Sequence, residues 1–370
     1  MTPRRVVAAV ALLLAVLVIV FRGWVAAQAR AVVVLSTTIH TPVLTWTAAV
    51  LTRDPHAEET IVAGRPTTLI RPGGDPPWPA VVFVNGATRL GRLHPDVQKL
   101  ARGLARTGFV VYVPDLPGLR LGEITQRTVR STVAVADAAA RSADSRGDRL
   151  GFVSVSVGTS LALLAAEDPR LVGRVTAVCG IAPYARLKQV VKLATTGFGP
   201  AGRYAVDDYL GLAVARSLFA GLPSSPEQDR LLRLVERVPD DRDDPLAVLA
   251  GARAKSPAVQ AVLGVIRNRD PARFENAYSH LPPRLRTQLD RLSPLRRART
   301  IAAPVELASA RTDIYFPLAE SRALVRAIPD ARLTATSTLD HAIPHPTLRD
   351  LGDLLRFDGW VVRSLRALRE

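Results

Sequence analysis

The chain has 370 residues, 48% of them hydrophobic and 22% charged, enough apolar material for one large core and unlike fibrous, disordered or low-complexity chains. Its single cysteine, Cys179, excludes an internal disulfide and a cysteine metal cage, so stability must come from apolar burial. The formal charge is +16, yet no helix-turn-helix, finger or aromatic-rich sheet pattern accompanies it, which favours an anionic membrane over nucleic acid as partner.

The chain opens with Arg4 and Arg5, an unbroken apolar run over residues 6–21, then Arg22, Gly23 and Trp24. At 1.5 Å per residue the run covers about 24 Å, short of the ~30 Å hydrocarbon core unless Arg22 snorkels and Trp24 sits in the interface. This predicts an N-terminal transmembrane helix or signal segment within residues 1–30. Three topologies are open. A single anchor leaves the arginines in the cytoplasm and the rest outside; cleavage near Ala27-Gln28-Ala29 releases the remainder. If residues 31–51, which lack Asp, Glu, Lys and Arg, also span, the pair is a hairpin and the main domain is cytoplasmic. His40, Pro42 and the threonines make 31–51 a poor lipid-facing span, so residues 31–58 are read as an interfacial or core-packing helix with a connector.

From Glu59 the pattern alternates short β-rich runs with helical ones, the order of a mostly parallel sheet covered on both faces. Residues 60–63 and 67–70 flank Gly64-Arg65-Pro66 as an entry hairpin. Further strands are expected at 80–84, 109–113, 150–155, 175–179, 305–308 and 332–336, four of them nearly continuous in apolar content, as burial on both faces requires. Helices are expected at 95–106, 126–143, 159–166, 317–328 and 346–368, the last with Leu348, Leu351, Leu354, Leu355, Val362 and Leu365 as its inward stripe. Residues 185–300 break the alternation. They read as an inserted helical subdomain, with Ser225-Pro226 and Ser256-Pro257 as helix starts and 209–222 and 246–254 as apolar helices. The sheet domain is thereby divided into residues 59–184 and 301–370.

Ser154-Val155-Ser156-Val157-Gly158 lies where a buried strand meets a helix. A nucleophile on so sharp a turn needs small residues two positions to either side, and Ser154 and Gly158 supply them around Ser156. Ser154 itself is a poorer candidate because Phe152 precedes it. A serine hydroxyl needs a base held by a third group. Asp313 follows the strand at 305–308, His341 follows the last strand, and loops at one edge of a parallel sheet share a rim where distant residues converge.

In these features the chain resembles the α/β-hydrolases, from about Glu59 to Glu370, with the insertion resembling the cap of such enzymes. The resemblance implies Ser156 as nucleophile, His341 as base and Asp313 as acid. Asn85-Gly86-Ala87 resembles the family's His-Gly-x turn and Asp115-Leu116-Pro117-Gly118 its next loop. The oxyanion hole is then the backbone N–H of Val157 with that of Ala87 or Gly86. Ser154 stands where the family has glycine and Asn85 where it has histidine. Asp340 is a rival orienting carboxylate, and His345 an alternative base. His40, His56, His94 and His280 have no evident partner. A serine at the elbow argues against dehalogenase and epoxide-hydrolase chemistry, which the family runs with aspartate. No metal or cofactor is expected, since no metal-ligand spacing or phosphate loop occurs.

The expected activity is a membrane-associated serine hydrolase, esterase- or lipase-like, acting on a small-molecule or lipid-like acyl ester through an acyl-enzyme; thioesters and amides would use the same residues. The alternative is a non-catalytic α/β-hydrolase-fold binding or scaffold protein at the membrane, in which Ser156, His341 and Asp313 stand apart. The cluster Arg284, Arg286, Arg291, Arg296, Arg297 and Arg299 is either a solvated face or a contact for anionic headgroups.

Overall fold

The computed structural model describes residues 22–38, 52–345 and 350–370. Helix α1 is Arg22–Thr38; strands β1 (His56–Val62), β2 (Arg65–Arg71) and β3 (Trp78–Val84) follow, then α2 (Pro95–Arg106), β4 (Val110–Pro114), α3 (Gln126–Ala140), β5 (Ser145–Val155), α4 (Val157–Ala166) and β6 (Val175–Ile181). The insertion holds α5 (Leu187–Thr196), α6 (Asp208–Ala220), α7 (Pro226–Glu236), α8 (Pro257–Arg267), α9 (Phe274–Ser279) and α10 (Pro283–Arg291). Strand β7 (Val305–Ala310), α11 (Leu318–Ala327), β8 (Ala331–Thr336) and α12 (Leu351–Ala367) complete the chain.

The eight strands form one sheet in the order β1-β2-β4-β3-β5-β6-β7-β8. Only β2 runs against its neighbours; every pair from β4 to β8 is parallel. The reversal arises at Ala63-Gly64, both at positive φ (47° and 73°), a two-residue turn whose twist suits a hairpin. The turn therefore precedes the expected Gly64-Arg65-Pro66, and Pro66 sits in β2 opposite Ile61. Strands β3 and β4 are buried on both faces, which is why their sequences run apolar without alternation.

One face of the sheet carries α3, α4, α11 and the insertion; the other carries α1, α2 and α12. Helix α2 begins at Pro95, the favoured first-turn position for proline, with the His94 side chain accepting from Asp96 N at 3.3 Å. Helix α4 begins at Val157, two residues ahead of the expected start, because Ser156 itself makes the turn. The apolar segment 246–254 is not a helix: Asp244 at φ 43° starts a short 3-10 turn, Pro245–Leu249. The Ser225 hydroxyl caps α7 by accepting from Gln228 N at 3.2 Å. Ser256 makes no such cap; its amide and that of Lys255 donate to the Glu227 carboxylate. Arg284, Arg291, Arg296, Arg297 and Arg299 are exposed.

Among the described residues, no helix is long and apolar enough to cross a membrane; the run at 6–21 lies outside them. Residues 31–38 form the second half of α1, so the boundary drawn between residues 30 and 31 falls inside one helix. Ala27, Ala31 and Val34 are buried against the sheet-covering helices, and Gln28 Nε2 donates to both Asp358 oxygens at 2.8–2.9 Å. On α12 the expected stripe holds in its later turns, where Val362 and Leu365 are buried, and fails in its first turns; Leu348 lies outside the described residues. Leu351 and Leu355 are exposed, while Asp353, Phe357, Trp360, Val361 and Leu365 face inward, because Asp353 is drawn in by partners described below.

A side chain at Gly103 of α2 would collide with Thr37 of α1. Gly103→Leu is therefore expected to lift α1 from the domain at a cost of about 1–3 kcal/mol. Hydrogen exchange should accelerate in residues 22–38 while β3 to β6 stay protected.

Candidate active site

Ser156 lies at the C-terminal end of β5 with φ 57° and ψ −134°, a strained conformation for a residue with a Cβ. Its amide donates to Ile181 O at 2.7 Å and its carbonyl accepts from Thr159 N at 2.9 Å, which fixes the bend. A Cβ at Gly158 would collide with the carbonyl oxygens of Val84 and Asn85, so glycine lets α4 approach the end of β3. Ser154 fits the other small position, fully buried with its hydroxyl 3.4 Å from Cys179 O.

Three residues widely separated in sequence meet here. His341 Nε2 is 2.8 Å from Ser156 Oγ, and His341 Nδ1 is 2.8 and 3.0 Å from the Asp313 oxygens. With Nδ1–H donating to Asp313, Nε2 is left as acceptor for the serine hydroxyl. The Asp313 carboxylate is fully buried and its Oδ1 accepts from Tyr315 N at 2.8 Å and Phe316 N at 2.9 Å, so it cannot swing away. The separation expected of a scaffold protein is absent. Asp340 is exposed and His345 meets Thr338 only through its backbone amide; neither takes part in this chain of bonds. His94 caps α2, and His280 Nδ1 bonds Asn276 O at 2.7 Å. His40 lies outside the described residues.

Gly86 abuts Ser156: a Cβ there would stand 3.2 Å from its Cβ and 3.9 Å from its Oγ. The backbone of Gly86-Ala87 therefore flanks Ser156 on one side. Val157, first residue of α4, presents on the other an amide without an intrahelical partner. The loop is pinned by Asn85 Nδ2 donating to Gly86 O at 2.8 Å.

Several supports escape sequence reading. Arg89, two residues beyond Ala87, reaches into the insertion, donating to Val238 O at 2.7 Å and to Asp240 at 3.0–3.1 Å. Asp240 also takes Arg216 Nη1 at 3.0 Å. Arg216, side chain fully buried, donates further to Leu121, Val235 and Val238 carbonyls at 2.8–3.1 Å. Its one signal was a lone charge inside the apolar segment of α6. Tyr204 hydrogen-bonds the Asp313 backbone, its own hydroxyl pushed up to about 12 by burial and by the Asp313 charge.

Asp353 of α12 joins the two loops that carry Asp313 and His341. It accepts from Arg311 Nε and Nη2 at 3.0 Å each, from Ser337 N at 2.7 Å and from Ser337 Oγ at 2.8 Å. The Arg311 guanidinium first, then the Ser337 donors, hold its carboxyl far below the usual carboxylate range.

An antiparallel second strand in an otherwise parallel sheet, a strained serine between β5 and its helix, an acid after β7 and a histidine after β8 decide the architecture. The chain has the α/β-hydrolase fold. No family model and no curated protein matches the sequence. Among solved structures, the α/β-hydrolase domain is similar to an esterase from Pyrococcus furiosus, with 14% identity over 86% of this chain and 92% of that one and a TM-score of 0.46. It is similar to an acylaminoacyl peptidase from Pyrococcus horikoshii at 13% identity, 86% of this chain, 42% of that one and TM-score 0.49. For a dipeptidyl peptidase 4 from Porphyromonas gingivalis the values are 14%, 84%, 36% and 0.47; the chain spans about a third of that protein's length.

A depressed carboxylate stabilises the fold above its ordinary range, and that contribution is lost as pH falls through the folded value. Asp353→Asn should therefore lower Tm near neutrality and flatten the decline of Tm between about pH 5 and pH 2. By loosening both loops it should also lower turnover by about ten- to a hundredfold. Calorimetry and steady-state kinetics across pH check both.

Proposed function

We propose that the protein is a serine hydrolase that cleaves acyl esters through a covalent acyl-enzyme on Ser156. The observation that carries this reading is the continuous run of hydrogen bonds from Asp313 through His341 to Ser156 Oγ. Ser156 Oγ bonds to the carbonyl carbon while its proton passes to His341 Nε2. The oxygen of the tetrahedral intermediate takes the Val157 N–H and that of Ala87 or Gly86. Collapse breaks the bond to the alcohol oxygen, which leaves with the proton from His341. Water then repeats the sequence and frees the acid and Ser156. Asp313, bonded to Nδ1, keeps the imidazole in the tautomer that accepts from Ser156.

The same residues would cleave thioesters or amides; the apolar lining around Ser156 supports an ester of a lipid-like acid. The apolar run at 6–21 behind Arg4 and Arg5 supports attachment to a membrane with the hydrolase domain outside the cytoplasm.

A fluorophosphonate probe should label the full chain, and Ser156→Ala should abolish labelling; equal labelling of both proteins overturns the assignment. Asp313→Asn should cost about 10⁴ in turnover through the wrong tautomer. In intact cells a membrane-impermeant version of the probe should label as fully as a permeant one, and its failure to do so reverses the topology.

A further inference from the structure

The cavity that opens at Ser156 has two arms. One lies beneath the insertion. The other passes Val155 and descends on the opposite face of the sheet, between the strands and helices α1, α2 and α12. The whole measures about 940 Å³, at the upper end of the ~300–1,000 Å³ of small-molecule sites. Val34, Leu100, Leu104, Trp360 and Leu365 wall the second arm, and Phe83, Val153 and Cys179 form its floor. Val153 and Val155 belong to the central strand β5, bonded on both sides, yet both are partly exposed. In a close-packed interior such positions are sealed; here the covering helices stand off from them.

The depth of this arm follows from the strand. Leu368 lines its far end, and a Cβ on Gly151 would collide with Leu368. Ser156 is five residue steps beyond Gly151, about 17 Å at ~3.3 Å per residue. An extended chain covers ~3.3–3.6 Å per three bonds, so the arm has room for about fourteen carbons. Trp360 Nε1 and Ser364 Oγ line the arm, buried and without hydrogen-bond partners. Ser364 lies level with Cys179, whose sulfur is 3.7 Å from Ser364 O, and Cys179 pairs with Val153. That depth is about 10 Å from Ser156, or roughly eight bonds from the reacting carbonyl. The Cys179 thiol, pushed up to about 12 by burial, stays protonated and adds no charge.

We infer that the acyl half of the substrate is a long chain of about twelve to sixteen carbons, held behind the sheet between α1, α2 and α12, with a hydroxyl or keto oxygen near mid-chain that meets Trp360 Nε1 and Ser364 Oγ. The inference rests on the hydrolase reading for the ester, while the chamber and its two unpaired polar groups belong to the fold alone.

Hydrolysis of p-nitrophenyl acetate, palmitate and 10-hydroxypalmitate tests it in the full chain. Wild type should favour palmitate over acetate in kcat/KM by at least about tenfold, and the hydroxylated chain over palmitate by about fivefold. Leu100→Trp, which fills the arm, should reduce the palmitate-to-acetate ratio at least about tenfold. Ser364→Ala and Trp360→Phe, milder changes, should bring the hydroxypalmitate-to-palmitate ratio to about one. Binding of 10-hydroxypalmitate to Ser156→Ala, followed by the emission of Trp360 with Trp360→Phe as the blank, reads occupancy without turnover. Saturable binding with no hydrolysis of any ester keeps the chamber and removes the hydrolase reading. Ester hydrolysis that prefers acetate, or ratios that Leu100→Trp leaves unmoved, removes the chamber and keeps the hydrolase.

Discussion

The structure turns on one close approach. Where β5 ends, the chain reverses through Ser156 at φ 57°, and α4 can leave at that angle only because Gly158 lets its backbone lie against the Val84 and Asn85 carbonyls. Strain of this kind costs about 1–3 kcal/mol. It is held by packing: all ten residues of α4 are buried, and Ser156 N is locked to Ile181 O. The same approach brings the Gly86-Ala87 backbone beside the hydroxyl. Position of the Ser156 hydroxyl and position of the flanking amides are thus one constraint.

What was legible in the sequence is what local chemistry dictates. The buried strands announced themselves by apolar runs, α2 by Pro95, and the elbow by small residues around Ser156. Asp313 and His341 could be named because strand ends at one edge share a rim, which is topology and needs no coordinates. The inward face of the first turns of α12 was not legible. Leu351 and Leu355 pointed to the opposite face there, yet Asp353 faces inward because two arginine nitrogens and Ser337 bind it, contacts from segments 16 and 42 residues away. Likewise 246–254 looked helical by composition, but Asp244 in the left-handed region and Pro245 start a 3-10 turn there.

The insertion is coupled to the sheet domain through buried charge. Asp240 lies between the guanidinium groups of Arg89 and Arg216, and Arg216 spends its remaining donors on carbonyls of the insertion and on Leu121 of the loop after β4. A buried arginine is tolerable only when its donors are met. Since Arg89 follows Ala87 by two residues, any displacement of the α7 end pulls on the loop beside Ser156. The insertion therefore acts on that loop as well as roofing the cavity.

The loop after β7 does three tasks in four residues. Asp313 presents its carboxylate to His341, the amides of Tyr315 and Phe316 hold that carboxylate from behind, and the rings of the same two residues stand 4.6 and 5.8 Å from the imidazole. Aromatic edges and faces at such distances exclude water and limit ring rotation. A carboxylate bound by amides of its own turn moves only if the turn moves, and the turn is braced at Arg311 by Asp353 and at Asp313 by Tyr204. The orientation of His341 is consequently set from outside the site, by α12 and by the insertion, which is why residues that never touch Ser156 govern the geometry at its hydroxyl.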